Sequence, residues 1–216
     1  MFNLDPATLI SRLIILVIAF TIHEFAHAIT ATYFGDDTPR INGRLTLNPL
    51  SHLDPMGSLL LLVAGFGWAK PVPVNPYALQ RRSSSAMMWV SLAGPLSNLL
   101  MAIVAAVPFR LGWVNLFSSF GSGPRIFPTA SQFLTEFIFI NLLLMLFNLI
   151  PLAPLDGEKV ADFFFPPSWS RVLDQIRPYG PLILIAILFV GPMLGFDIMN
   201  RVLMPPLRSL FMLLVG

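Results

Sequence analysis

The chain has no cysteine in 216 residues. This excludes a disulfide framework, thiolate metal ligands and a thiol nucleophile, so any metal must be held by His, Asp or Glu. Charge is also scarce: Asp, Glu, Lys and Arg make up 11%, against roughly 25% in an ordinary soluble domain. A soluble globule of this length would lack a charged coat. With 56% hydrophobic residues and a mean hydropathy of +0.76, the chain reads as an α-helical polytopic membrane protein. The pI of 9.4 rests on a net charge of only +2, and the basic residues are scattered singly, which excludes a nucleic-acid surface. Proline (20) and glycine (14) are plentiful. In so apolar a chain they predict broken helices and loops at membrane depth.

About 20 residues at 1.5 Å each cross the ~30 Å hydrocarbon core, and four stretches qualify: 6–34, 86–109, 131–151 and 179–196. Ala26-His27-Ala28 resembles a signal-peptide cleavage site, but Asp5 stands where a basic n-region belongs and Arg12 interrupts the apolar run. The first stretch therefore reads as a retained span. The segment 57–68 is apolar but short, as in a re-entrant loop, and 202–216 reads as interfacial or as a short last span. If 57–68 dips in and returns, one side of the membrane holds Arg40, Arg44, Lys70, Arg81, Arg82, Lys159, Arg171 and Arg177. The other side holds Arg12, Arg110, Arg125, Arg201 and Arg208. The positive-inside bias then puts the end of the first span in the cytoplasm. Asn42-Gly43 between the short runs of 39–47 predicts a type I′ β-hairpin, and Pro71-Val72-Pro73-Val74-Asn75-Pro76 predicts an extended edge segment. The whole reads as one membrane-embedded domain, with a core over about 6–165 and a helical extension over about 166–216.

His23-Glu24-Phe25-Ala26-His27 stands inside the first span. At 3.6 residues per turn the two imidazoles share one helix face and can reach one metal ion, with Glu24 beside them to act as a base. An acidic side chain at the centre of a span costs about 2.5–3.5 kcal/mol on insertion scales, and a Zn²⁺ ion offsets that cost. A catalytic zinc takes three protein ligands. The third can be His52, in Asn48-Pro49-Leu50-Ser51-His52, or Asp156, in Pro154-Leu155-Asp156-Gly157. Depth in the membrane leaves the two tied.

The pair His23-Glu24-x-x-His27 and Asn148-x-x-Pro151-x-x-x-Leu155-Asp156-Gly157 resembles the site-2 protease family of intramembrane zinc metalloproteases. Ala93-Gly94-Pro95-Leu96-Ser97-Asn98 matches a further recurrent feature. The run from Phe66-Gly67-Trp68 to Asn75 looks like the compact prokaryotic branch, with no room for a PDZ or CBS domain. The resemblance extends over about 10–165. It implies that His23, His27 and Asp156 bind one zinc, that Glu24 is the general base and acid, and that the site opens to the cytoplasm. It also implies a three-helix catalytic core in a multi-pass protein of a prokaryotic inner membrane, acting by regulated intramembrane proteolysis.

On that reading, zinc acidifies a water and polarises the peptide carbonyl. Glu24 takes the proton and returns it to the leaving amine. Asn148 and Asn98 are candidates to bind substrate or donate to the oxyanion. The substrate is a transmembrane segment of another protein, which must unwind in the lipid bilayer to expose its backbone. The predicted hairpin and edge would hold it, with His52, Lys70 and Asn75 lining a polar entrance. Gly191-Pro192-Met193-Leu194-Gly195 fits a small-xxx-small pattern, but its proline favours a kink, and the sequence leaves homo-oligomerisation open. Gly121-Ser122-Gly123 lies on the side away from the histidines, which excludes a serine mechanism. Two alternatives use the same residues: a divalent-metal transporter, opposed by the lack of an internal repeat, and a proteolytically silent metal-binding membrane protein.

Overall fold

A stripe of small and polar residues repeats every four positions along the first helix, α1 (Pro6–Tyr33): Ala7, Ser11, Ile15, Ala19, His23, His27 and Ala31 are all buried. Such a ridge lets another helix approach closely, as small-residue faces do in membranes. The two histidines are thus members of the packing stripe itself. The computed structural model describes residues 6–57, 68–116, 126–195 and 197–216.

Two further long helices meet α1: α2 (Ala86–Arg110) and α3 (Ala130–Asn148). Gln132 Nε2 donates to Thr8 Oγ1 at 3.0 Å, and Arg12 Nε pairs with Glu136 at 3.3 Å. Both numbers advance by four between these contacts, so α1 and α3 run parallel. Val90 meets His27 whereas Asn98 meets His23, so α2 runs antiparallel to them. Pro95 and Pro108 lie inside α2, which continues through both. Ala102, Ala105, Ala106 and Phe109 of α2 pack with Ile138, Leu142 and Met145 of α3.

After α3 the chain turns into α4 (Asp156–Phe164), which packs on α2 and has Asp156 and Glu158 in its first turn, where the helix dipole favours anions. The fourth membrane-length helix, α5 (Ser168–Met193), starts well before the predicted residue 179. It contains a 3₁₀ turn at Arg177–Tyr179 and a π segment at Ala186–Val190. The last helix, α6 (Met204–Val215), spans 12 residues and continues without a break from a π segment at Met199–Leu203. Its Leu207 is fully buried against α2 and α3. Among the described residues, four helices are long and apolar enough to cross a bilayer, so this is a multi-pass membrane protein.

No strand is present among the described residues. The type I′ hairpin expected over 39–47 does not form, because Asp37-Thr38-Pro39 is a helix start with proline in the first turn, and Thr38–Ile41 is helical. Asn42-Gly43 then ends that helix. Gly43 sits at φ 66°, Gly43 N–H donates to Arg40 O, and Arg44 N–H donates to Pro39 O, the two bonds of a Schellman cap. Residues 70–75 before Pro76 belong to no helix or strand, with Asn75 alone recorded as extended at φ −101° and ψ 102°, and Leu53 and Ala69 make one antiparallel bridge. The re-entrant segment expected over 57–68 lies outside the described residues except at its ends. Gly57 backs directly onto the Trp68 backbone, 2.9 Å from its nitrogen for an added Cβ, so the chain leaves and returns at one place.

Candidate metal centre

His23 and His27 point the same way because they are one turn apart on α1, and both are more than nine-tenths buried. Asp156 arrives from the first residue of α4. His27 Nε2 is 3.0 Å from His23 Nε2, and Asp156 Oδ2 is 3.1 Å from His23 Nε2 and 3.3 Å from His27 Nε2. Bonds of about 2.0–2.1 Å from zinc to nitrogen and oxygen, at tetrahedral angles, put ligand atoms ~3.3 Å apart. The three atoms therefore match one face of a zinc tetrahedron.

The outer nitrogens support this. His27 Nδ1 donates to the Val90 carbonyl at 2.7 Å, and His23 Nδ1 to Asn98 Oδ1 at 2.6 Å. Both partners are acceptors, so each neutral ring turns an Nε2 lone pair inward. Asp156 Oδ2 is buried there with no hydrogen-bond partner. Three lone-pair donors converging on one point require a cation.

Gly94 of α2 explains how the helices close over these rings. A Cβ there would lie 2.5 Å from His27 Nε2 and 2.6 Å from His23 Nε2, so only glycine leaves the ligand face free. On the far side, Glu158 is 2% exposed and pairs with Lys159 and with Arg177 of α5. A Cβ on Gly180 would meet the Ala153 backbone. These two contacts hold the Asp156 turn against α5.

Glu24 is 8% exposed, and its Oε2 accepts from the Val72 N–H at 3.1 Å. The carbonyl of the same Pro71–Val72 peptide accepts from Arg44 Nη2 at 3.3 Å, and Lys70 O accepts from Arg44 Nη1 at 3.2 Å. One peptide unit of the 70–75 stretch is therefore oriented between a buried guanidinium and the Glu24 carboxylate.

The other expected residues take different places. His52 is fully buried, its Nε2 donates to Thr46 O at 2.7 Å, and it is outside the three-donor group. It neither competes with Asp156 nor lines an entrance. Asn75 caps the Pro76–Arg82 helix, accepting from Tyr77 N–H and Ala78 N–H, so its side chain serves that local turn. Lys70 is exposed, with its N–H donating to His52 O. Asn148 is part-buried, and its Nδ2 donates to Leu144 O of its own helix at 3.0 Å. Asn98 is fully buried behind His23 and is bonded to that ring and to Asn141, so it is out of reach of a substrate oxyanion. That correction follows from helix azimuth, which puts Asn98 behind the ring.

Sequence reasoning missed Arg44 and Asn141. Arg44 follows a helix cap that aims its side chain inward, a consequence invisible while Asn42-Gly43 was read as a hairpin. Asn141 had a signal: it lies seven residues before Asn148 in an apolar span, where an amide needs a partner.

A His-His-Asp centre with a glutamate beside it, its two histidines on a helix of membrane length, defines the class as a metal-dependent hydrolase. The comparisons agree. The chain is 42% identical over 192 residues to "Putative zinc metalloprotease YwhC" of Bacillus subtilis, covering 87% of this chain and 84% of that protein. It is 33% identical over 178 residues to "Putative zinc metalloprotease Rip2" of Mycolicibacterium smegmatis, covering 80% of this chain and 64% of that protein. Rip2 of Mycobacterium tuberculosis is 28% identical over 182 residues, with 83% and 66% covered. No family model and no solved structure matches. The chain belongs to the zinc metalloprotease family of these relatives, which has the character of compact site-2 proteases.

Proposed function

We propose that this protein is an intramembrane zinc endopeptidase that cleaves membrane-protein substrates within or near their transmembrane segments. The observation that carries the reading is a buried carboxylate, Glu24, beside a three-donor group whose two histidines share its membrane-length helix. His23, His27 and Asp156 hold one zinc. When bound, zinc supplies a more acidic water and a Lewis acid for the carbonyl.

The chain's own residues do the rest. Glu24 takes a proton from water and hands it to the leaving amine. Before doing so it gives up the Val72 N–H, and the Val72 segment turns to the substrate backbone as an edge strand. Asn148, on the part-exposed turn leading to Asp156, is the remaining amide to hold the substrate. Helices α1, α2 and α3 form the catalytic core of a single domain, and α5 and α6 flank it. The meeting of Gly57 and Trp68 supports a segment that dips in and returns. The basic residues then favour a site open to the cytoplasm, and the bacterial relatives support a prokaryotic inner membrane.

The test is reconstitution of the purified protein in liposomes with a single-span substrate whose helix carries a central Gly-Pro break. Cleavage mapped by mass spectrometry to the span, and stopped by a zinc chelator, is expected. Cleavage confined to soluble peptides, or zinc flux without cleavage, would overturn the reading. For orientation, a cysteine at Arg81 in this Cys-free chain should be shielded from an impermeant reagent in intact cells, and labelling there would reverse the topology.

A further inference from the structure

His27 and His23 are held at Nδ1 by different means. His27 donates to a backbone carbonyl of Val90, whose polarity no substitution can reverse. His23 donates to a side-chain amide, Asn98 Oδ1. An amide can present either its oxygen or its NH₂, and a rotated Asn98 would offer a donor to the ring. The His23 ring would then answer with a lone pair at Nδ1 and a proton at Nε2, the atom that faces the metal.

The structure contains a device that forbids this. Asn98 Nδ2 donates to Asn141 Oδ1 at 2.9 Å, and Asn141 Nδ2 donates to the Phe137 carbonyl at 2.9 Å. Phe137 O can only accept, so Asn141 must turn its NH₂ toward it and its oxygen toward Asn98. Asn98 must then turn its NH₂ to Asn141 and its oxygen to His23. Asn98 and Asn141 are both fully buried, where no water can substitute for a misdirected partner. Each link has one allowed direction, and the last leaves His23 Nε2 bare.

We propose that Asn141 is a positioning residue that acts through Asn98 to fix the zinc-binding tautomer of His23, with the Phe137 carbonyl as the fixed end of the relay. The relay runs from α3 through α2 to α1, so it also ties the packing of all three helices to the metal. Two asparagines that merely joined helices would need neither a shared direction nor an end on a ligand. The inference rests on His23 being a zinc ligand, as read above.

Zinc affinity of the full-length protein in detergent, measured by competition with a chromogenic chelator, tests it. The cobalt-substituted absorption spectrum serves as a second readout that does not depend on turnover. Asn98→Leu should weaken zinc binding about 10–100-fold, the usual effect of losing a hydrogen bond behind a metal ligand. Asn141→Leu should weaken it by a smaller factor, roughly three- to tenfold by the same reasoning at one further remove. The double variant should match Asn98→Leu alone, because Asn141 acts only through Asn98. Asn141→Asp, neutral when so buried, keeps an acceptor for Asn98 and a donor for Phe137 and should bind zinc within threefold of the parent. Losses that multiply in the double variant, or an Asn141→Asp variant as weak as Asn141→Leu, would overturn the relay and leave only helix packing. If Asn141→Leu does not accumulate, the Asn141→Asp value decides alone. His23→Ala separates the underlying reading: zinc retained there would overturn the metal site itself, whereas an unmoved affinity in Asn98→Leu would overturn the relay only.

Discussion

In the apolar segments of α1, α2 and α3, 33%, 39% and 28% of the residues are buried, and in α5 the figure is 6%. The first three helices spend their small and polar residues on one another: alanines, Ser11, two histidines and two asparagines face inward. In α5 the corresponding surface is made of large side chains such as Leu182, Ile185 and Phe189, all half-exposed or more. Helices in lipid gain little from hiding leucine from lipid and much from close packing and paired polar groups. The α1–α3 trio is therefore specified from within, whereas α5 is fastened at points, chiefly Glu158 with Arg177 and Gly180 against Ala153. Those points meet the Asp156 turn, so the loosely packed helix still bears on the third ligand.

This contrast can be broken most severely at the ligand that joins the two regions. Asp156→Ala should take bound zinc from one equivalent to none and abolish cleavage, read by atomic absorption on the purified protein. Gly94→Ala strikes the trio from inside. Its Cβ would sit 2.5–2.6 Å from the imidazole nitrogens, so zinc affinity should fall by at least about tenfold, as for lost ligand orientation. Lowering the pH should release zinc as protons compete with the metal for the imidazole and carboxylate donors, read as loss of bound metal after dialysis at descending pH. Arg177→Ala removes a partner of buried Glu158 and should cost about 1–3 kcal/mol in thermal stability, with zinc stoichiometry unchanged. On the lipid side of α5, Leu182→Ala should stay within about 0.5 kcal/mol of the parent. A large loss at Leu182 would mean that a further surface covers α5.

The same contrast explains what the sequence makes legible. Helix periodicity is local, so the His23 and His27 face and the four spans can be read directly. Asp156 lies far along the chain, and only the paired motifs tie it to the histidines. Asn98 was recognised as unusual, but its direction depends on how α2 rotates against α1, which a single helix pattern does not contain. Asn42-Gly43 misled because a hairpin turn and a Schellman cap use the same dipeptide. The preceding Asp37-Thr38-Pro39 decides between them. The start of α5 was placed late because Arg171, Asp174 and Arg177 look like a loop until Glu158 is found to accept Arg177.

The central claim is that Glu24 moves the proton at a zinc site made by His23, His27 and Asp156. Parent and Glu24→Gln proteins, purified side by side and assayed for zinc content and for cleavage of a reconstituted single-span substrate, test it most directly. Both should hold about one equivalent of zinc, while cleavage by the variant falls by about 10²–10⁴-fold or more. Cleavage at the parent's rate would remove Glu24 from the chemistry.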